Sequence, residues 1–158
     1  MQERIHELIE RFKLIAHPEE GGYYSEEYRS DISLPNMDRQ LMTSIYFLLP
    51  SDHVTNFHRI KSDELWFFHE GSPLTVHTLD ENGHTENVVG LNLKAGECPQ
   101  LLVTGNTIFG STVNEKDSYS FVSCVVAPGF DFRDYELFSK AELMEEFGKC
   151  EEIIERLS

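Results

Sequence analysis

Asn56-Phe57-His58-Arg59-Ile60-Lys61-Ser62-Asp63-Glu64-Leu65-Trp66-Phe67-Phe68-His69-Glu70-Gly71 is the densest run of chemically capable residues in the chain. As two strands joined by a short turn, its period-two alternation places Asn56 and His58 on one face. Glu64, Trp66 and Phe68 share one face of the following strand, and Phe57 faces away. If both faces point into a barrel, an imidazole, a carboxylate, an amide and an indole converge there.

The surrounding sequence supports that barrel. Short β-branched and aromatic runs at 23–29, 41–49, 64–69, 74–79, 84–89, 101–103, 107–113 and 118–126 are separated by Asn, Asp, Gly and Pro. Such runs at even spacing are an all-β signature. Asp80-Glu81-Asn82-Gly83 reads as a hairpin turn, with Asn-Gly taking positive φ. Before the runs, Ile5, Leu8, Ile9, Phe12 and Ile15 repeat at helical spacing, and a helix over about 1–15 is expected to end at His17-Pro18. Gly21-Gly22 follows as a flexible turn. After the runs, Leu143, Phe147, Cys150, Ile154 and Leu157 predict a second helix over about 140–158, with Ser139 and Glu142 spaced as a capping box. No linker, repeat or low-complexity tract interrupts the chain, so residues 1–158 are read as one domain, with the barrel over about 23–138.

Two strands, 45–49 and 65–68, are apolar on both faces, so something must cover the side that points away from the barrel. A terminal helix suits one sheet and a second copy of the chain the other, which predicts a homodimer.

The formal net charge of −15 and the lack of any Lys/Arg cluster argue against nucleic acid and anionic membrane surfaces as partners. No segment resembles a signal peptide or approaches the roughly 18 apolar residues of a membrane span, so a soluble, cytoplasmic protein is expected. Cys98, Cys124 and Cys150 are odd in number and contain no CxxC, which suits reduced thiols rather than a disulfide framework.

The opening stretch resembles the first cupin motif, in which two histidines separated by one residue precede a glutamate and, seven residues later, a glycine. His58, Glu64 and Gly71 match, while Asn56 stands at the first histidine position. The second cupin motif falls on Thr104 to Phe109, which puts Phe109 at the position of the remaining ligand. Further blocks are similar to the fifth cupin family, a group without an agreed activity: His17-Pro18-Glu19, Gly21-Gly22-Tyr23-Tyr24, Tyr28-Arg29-Ser30, Pro99-Gln100-Leu101 and Val126-Ala127-Pro128-Gly129-Phe130-Asp131-Phe132. The resemblance implies a double-stranded β-helix (cupin jelly roll), homodimers and a small-molecule pocket inside the barrel.

His58 and Glu64 are then the candidate catalytic pair, and Asn56, Trp66, Gln100 and Phe109 the candidate ligand contacts. His58 suits a general base near neutral pH, with Glu64 orienting the imidazole. An ion pair of Glu64 with Arg59 or Lys61 is the structural alternative. Gln100 lies in an apolar run, where a buried amide needs partners. His6, His17, His69, His77 and His84 read as surface or supporting residues. Two ligands of the usual four argue against a resident transition metal, although Cys98 or Cys124 would suit zinc or iron if either reached His58. Three activities are compatible with these residues. The first is a metal-independent isomerase or epimerase of a sugar-like metabolite, the second a non-catalytic binding module, the third a metal-dependent oxygenase.

Overall fold

The computed structural model describes residues 1–158. Helix α1 (Gln2–Phe12) leads into strands β1 (Ile15–Ala16), β2 (Tyr23–Arg29), β3 (Thr43–Pro50), β4 (Val54–Arg59), β5 (Asp63–Gly71), β6 (Leu74–Asp80), β7 (Gly83–Val89), β8 (Gln100–Val103), β9 (Ile108–Val113), β10 (Tyr119–Ala127) and β11 (Glu136–Leu137). Helices α2 (Lys140–Phe147) and α3 (Glu151–Arg156) close the chain. The strands form two antiparallel sheets, ordered β1-β2-β3-β10-β5-β8 and β11-β4-β9-β6-β7. This is the expected jelly roll. No helix is long and apolar enough to cross a membrane.

Alternation along the strands builds the interior. Phe47 and Leu49 of β3, Trp66 of β5, Val122 and Cys124 of β10 and Phe109 of β9 pack into one buried cluster between the sheets. Part of each opposite face is apolar too, and that part finds a helical cover. Leu48 of β3 and Phe121 of β10 lie under α1, against Leu8 and Leu14. Phe57 of β4, Leu79 of β6 and Ile108 of β9 lie under the C-terminal helices, against Leu143, Ile154 and Leu157. The terminal helices therefore dock by their apolar faces, as their spacing requires.

Element ends differ from the periodic reading. α1 stops at Phe12 because Lys13 adopts a left-handed conformation (φ 53°), and Ile15 joins a strand that pairs with Tyr24. The C-terminal helix is broken by a 3-10 turn at Gly148–Cys150. The Ser139–Glu142 capping box is present. In the β6–β7 hairpin only Gly83 has positive φ, and the Asp80 side chain accepts the Asn82 N–H instead.

Candidate active site

The cavity between the sheets is lined by polar groups from both strands and loops. Its titratable members are His17, Glu20, Tyr24, His58, Glu64, Cys124 and Tyr135. The walls are Phe47, Ile60, Trp66, Phe109, Phe130 and Phe132. The cavity has a volume of about 50 Å³, room for several waters or for the reacting end of a small metabolite.

His58, Glu64, Trp66 and Phe109 all reach the cavity, as the alternation and motif spacing required. The His58 ring packs against Phe109, with centroids 4.2 Å apart, and stacks on Tyr135 at 5.3 Å and 22°. Trp66 donates its indole N–H to Glu64 at 3.2 Å. Phe57 points outward under the C-terminal helices. Arg59 pairs with Glu136 and Lys61 lies near Asp134, so neither engages Glu64.

Two expected contacts fall outside. β4 carries an irregularity between Thr55 and His58: Thr55 opposes and hydrogen-bonds Ser111, while three residues on, His58 opposes Phe109. The extra residue breaks the alternation, and the half-buried Asn56 contributes its carbonyl, not its amide, by accepting His58 Nδ1–H at 2.7 Å. Gln100 is exposed. On β8 the inward positions are Leu101 and Val103, opposite Trp66 and Glu64, which leaves Gln100 opposite the outward Phe67.

The partner of the His58 ring is also not Glu64. Nε2 lies 3.0 Å from Glu20 Oε2, a residue delivered by the loop between β1 and β2. Gly21 and Gly22 force this loop inward rather than merely freeing it. Both have positive φ, and a Cβ at Gly21 would stand 2.3 Å from the Val54 carbonyl oxygen. The loop is pinned by Asn56 N–H to the Glu20 carbonyl and by His17 Nδ1, which accepts the backbone N–H groups of Glu19 and Glu20. His17 is therefore a pocket residue whose Nε2–H faces inward, 4.0 Å from Glu20 Oε2.

Burial shifts every acid and base in the same sense, toward its neutral form. Glu20 is pushed up to about 7 and Glu64 to about 8, with the charge of Glu20 adding to the latter. His58 is pushed down to about 4, the bond to Asn56 opposing this, and His17 is lowered by burial as well. Burial raises the Cys124 thiol well above its usual range, so it is not a thiolate. Tyr135 is raised by burial and by Glu20, toward which its buried hydroxyl faces without a hydrogen bond of ordinary geometry.

These shifts have a stability consequence. In the unfolded chain Glu64 ionises near 4.5, whereas in the folded chain it keeps its proton up to about 8. Between those values the unfolded state binds fewer protons, so this group lowers stability progressively as pH rises. Glu64→Gln is expected to gain on the wild type steadily from pH 5 to 8 in urea midpoint. A difference between the two that does not change with pH contradicts the assignment.

The donor set does not fit the metal centre that the cupin motifs imply. Both His58 nitrogens are engaged, Phe109 fills a ligand position, and the barrel groups do not bring three donor atoms within 4.8 Å of one another.

Two antiparallel sheets closed around an interior cavity, with acid–base groups at its centre, define a barrel of the jelly-roll class. The chain belongs to the cupin superfamily group DUF985, whose family model matches residues 6–138. It is similar to the uncharacterized protein YML079W of Saccharomyces cerevisiae, 30% identical over 155 residues covering 87% of this chain and 76% of the yeast protein. Among solved structures it is similar to protein SO0799 from Shewanella oneidensis, 42% identical with a TM-score of 0.90 over 96% of this chain and 95% of that one. A hypothetical protein from Leishmania major is 38% identical, with a TM-score of 0.89 over 97% of both chains.

Proposed function

We propose that the barrel is a metal-independent proton-transfer enzyme, an isomerase or epimerase acting α to the carbonyl of a small sugar-like or keto-acid metabolite. The observation that carries this reading is the buried Tyr135 hydroxyl, which faces Glu20 beside the Glu20–His58 pair without a hydrogen bond of ordinary geometry, in a largely apolar cavity. An orphaned buried donor costs about 1–3 kcal/mol, which a ligand oxygen recovers.

The proton inventory assigns roles. Because Nδ1 donates to Asn56, the Nε2 lone pair faces Glu20, and the neutral pair has the Glu20 carboxyl donating to it. Neither imidazole nitrogen is free for substrate, so His58 acts through Glu20. The second Glu20 oxygen takes the substrate proton as the first releases its own to Nε2, leaving an imidazolium and an enolate. Tyr135 O–H, and Glu64 while protonated, are the donors for the enolate oxygen. Return of the proton to the other face completes epimerisation; return to the adjacent carbon, with the proton of the α-hydroxyl passing to the enolate oxygen and the imidazolium returning its proton to Glu20, completes isomerisation. The cavity admits only the reacting end of a larger metabolite, so any nucleotide or long tail lies beyond it.

The second reading is a non-catalytic binding module, favoured by the apolar walls. A thermal-shift screen of small keto acids, sugars and sugar nucleotides, with Tyr135→Phe alongside, tests both. A hit that stabilises the wild type and loses affinity in Tyr135→Phe supports the site. Hits bound equally by both proteins contradict it.

We also propose a homodimer. α1 covers the β3 end of the outer face of its sheet, but farther along the same face Val125, Leu65 and Leu102 line up across β10, β5 and the edge strand β8, with Leu102 51% exposed. A second copy related by a two-fold axis covers this strip. Sedimentation at micromolar concentration is expected to give twice 18.2 kDa, with Leu102→Asp shifting toward monomer. A monomer over a broad concentration range contradicts the interface.

A further inference from the structure

The outer face of the second sheet carries a cluster that the pocket chemistry does not use. In the β6–β7 hairpin His77 is the direct cross-strand partner of Glu86, and His84 lies two residues from Glu86, on the same face. His77 Nδ1 is 2.9 Å from His84 Nε2 and 3.6 Å from Glu86 Oε1, and His84 Nε2 is 3.9 Å from Glu86 Oε1. The circle through these three atoms has a radius of about 2.0 Å, the length of a zinc–nitrogen or zinc–carboxylate bond. We propose that His77, His84 and Glu86 form a binding site for zinc or a similar divalent transition-metal ion, with a coordination position open to solvent.

The surroundings suit that role. His77 is buried and its Nε2 is hydrogen-bonded to Thr112 Oγ1 at 2.9 Å, a hydroxyl that can accept an Nε2–H; in that tautomer the Nδ1 lone pair faces the cluster. In that tautomer, without metal, the lone pair accepts the Nε2–H of His84. Metal binding requires the other neutral tautomer of His84, the single ring proton moving from Nε2 to Nδ1 on a side chain that is 24% exposed to solvent. Burial, together with His84 and Arg156, holds His77 down at about 4, so a neutral imidazole is available at pH 7 without proton release. The recess beside His84 and Glu86 is lined by Lys149, Glu152 and Arg156. The two cations oppose a bare dication and the two carboxylates favour it, leaving the recess close to neutral. A two-histidine, one-carboxylate set with an open position suits zinc, cobalt or nickel better than magnesium or calcium.

The probe is cobalt(II) alone, added to untagged, chelator-stripped full-length protein. One equivalent is expected to bind saturably with the visible absorption of a low-coordinate nitrogen–oxygen site and to be displaced by zinc. His84→Ala and Glu86→Gln, both at partly or fully exposed positions, are expected to stay folded by circular dichroism while weakening binding at least about 10-fold, the lower end of what even supporting residues of metal sites cost. His58→Gln is expected to bind cobalt as the wild type does. Absence of saturable binding up to millimolar cobalt overturns the site. So does binding that survives both His84→Ala and Glu86→Gln, or that is lost in His58→Gln instead.

Discussion

In His58→Gln, turnover is expected to fall at least about 100-fold, the usual contribution of a positioned proton acceptor, while ligand affinity stays within a few-fold of the wild type. Glutamine fills most of the imidazole volume and retains a polar end toward Glu20, so the wall formed with Phe109 and Tyr135 survives. What it lacks is a nitrogen that accepts the proton leaving Glu20 Oε2. Glu20→Gln removes the same relay one atom earlier and is expected to match the loss. Glu64→Gln is not, because Glu64 makes no contact with the imidazole and a glutamine amide at this position still donates to the enolate oxygen. In a binding module, by contrast, His58→Gln weakens affinity by roughly 1–3 kcal/mol and leaves no reaction to lose. Steady-state kinetics on the first ligand identified separate the two.

Phe57→Ala, one residue away, is expected to do the opposite: to destabilise the fold by about 3–5 kcal/mol without touching the chemistry. Phe57 has no exposed surface and fills the cluster formed with Leu79, Ile108, Leu143, Ile154 and Leu157. Its backbone also ties that layer together, with its N–H donating to the Leu157 carbonyl at 2.8 Å and its carbonyl accepting Phe138 N–H at 3.1 Å. The cavity left by truncation lies between β4 and the C-terminal helices, which are too short to collapse into it. At urea slopes of about 1–3 kcal/mol/M the midpoint falls by about 1 M or more. A loss under about 1 kcal/mol means that the C-terminal helices contribute little to the core.

The contrast between Phe57 and His58 shows what was legible in the sequence. Period-two alternation separates neighbours wherever the strand is regular, and it correctly sent His58, Glu64 and Trp66 inward and Phe57 outward. Motif spacing added Phe109. The same rule failed at Asn56 because one extra residue in β4 shifts parity, and nothing in Thr55-Asn56-Phe57 announces a bulge. It failed at Gln100 because a four-residue edge strand takes its register from β5 rather than from its own composition. Glu20, His17 and Tyr135 come from a loop and from the residue after a 3-10 turn at Phe132–Asp134, where no period exists to read. Gly21-Gly22 was the available signal for the first two: paired glycines mark a backbone in close approach, here one that carries the preceding glutamate into the barrel. His77 and Glu86 are nine residues apart and become neighbours only through the hairpin register.

The most direct test of the account is deuterium wash-in. A small carbonyl metabolite that stabilises the protein is incubated in D2O with catalytic amounts of wild type and of His58→Gln, and deuterium at the carbon α to the carbonyl is followed by NMR. The account predicts incorporation by the wild type many-fold above the buffer rate, reduced at least about 100-fold in His58→Gln although the variant still binds. Tight binding by the wild type with no exchange above buffer contradicts proton transfer and makes the barrel a binding module.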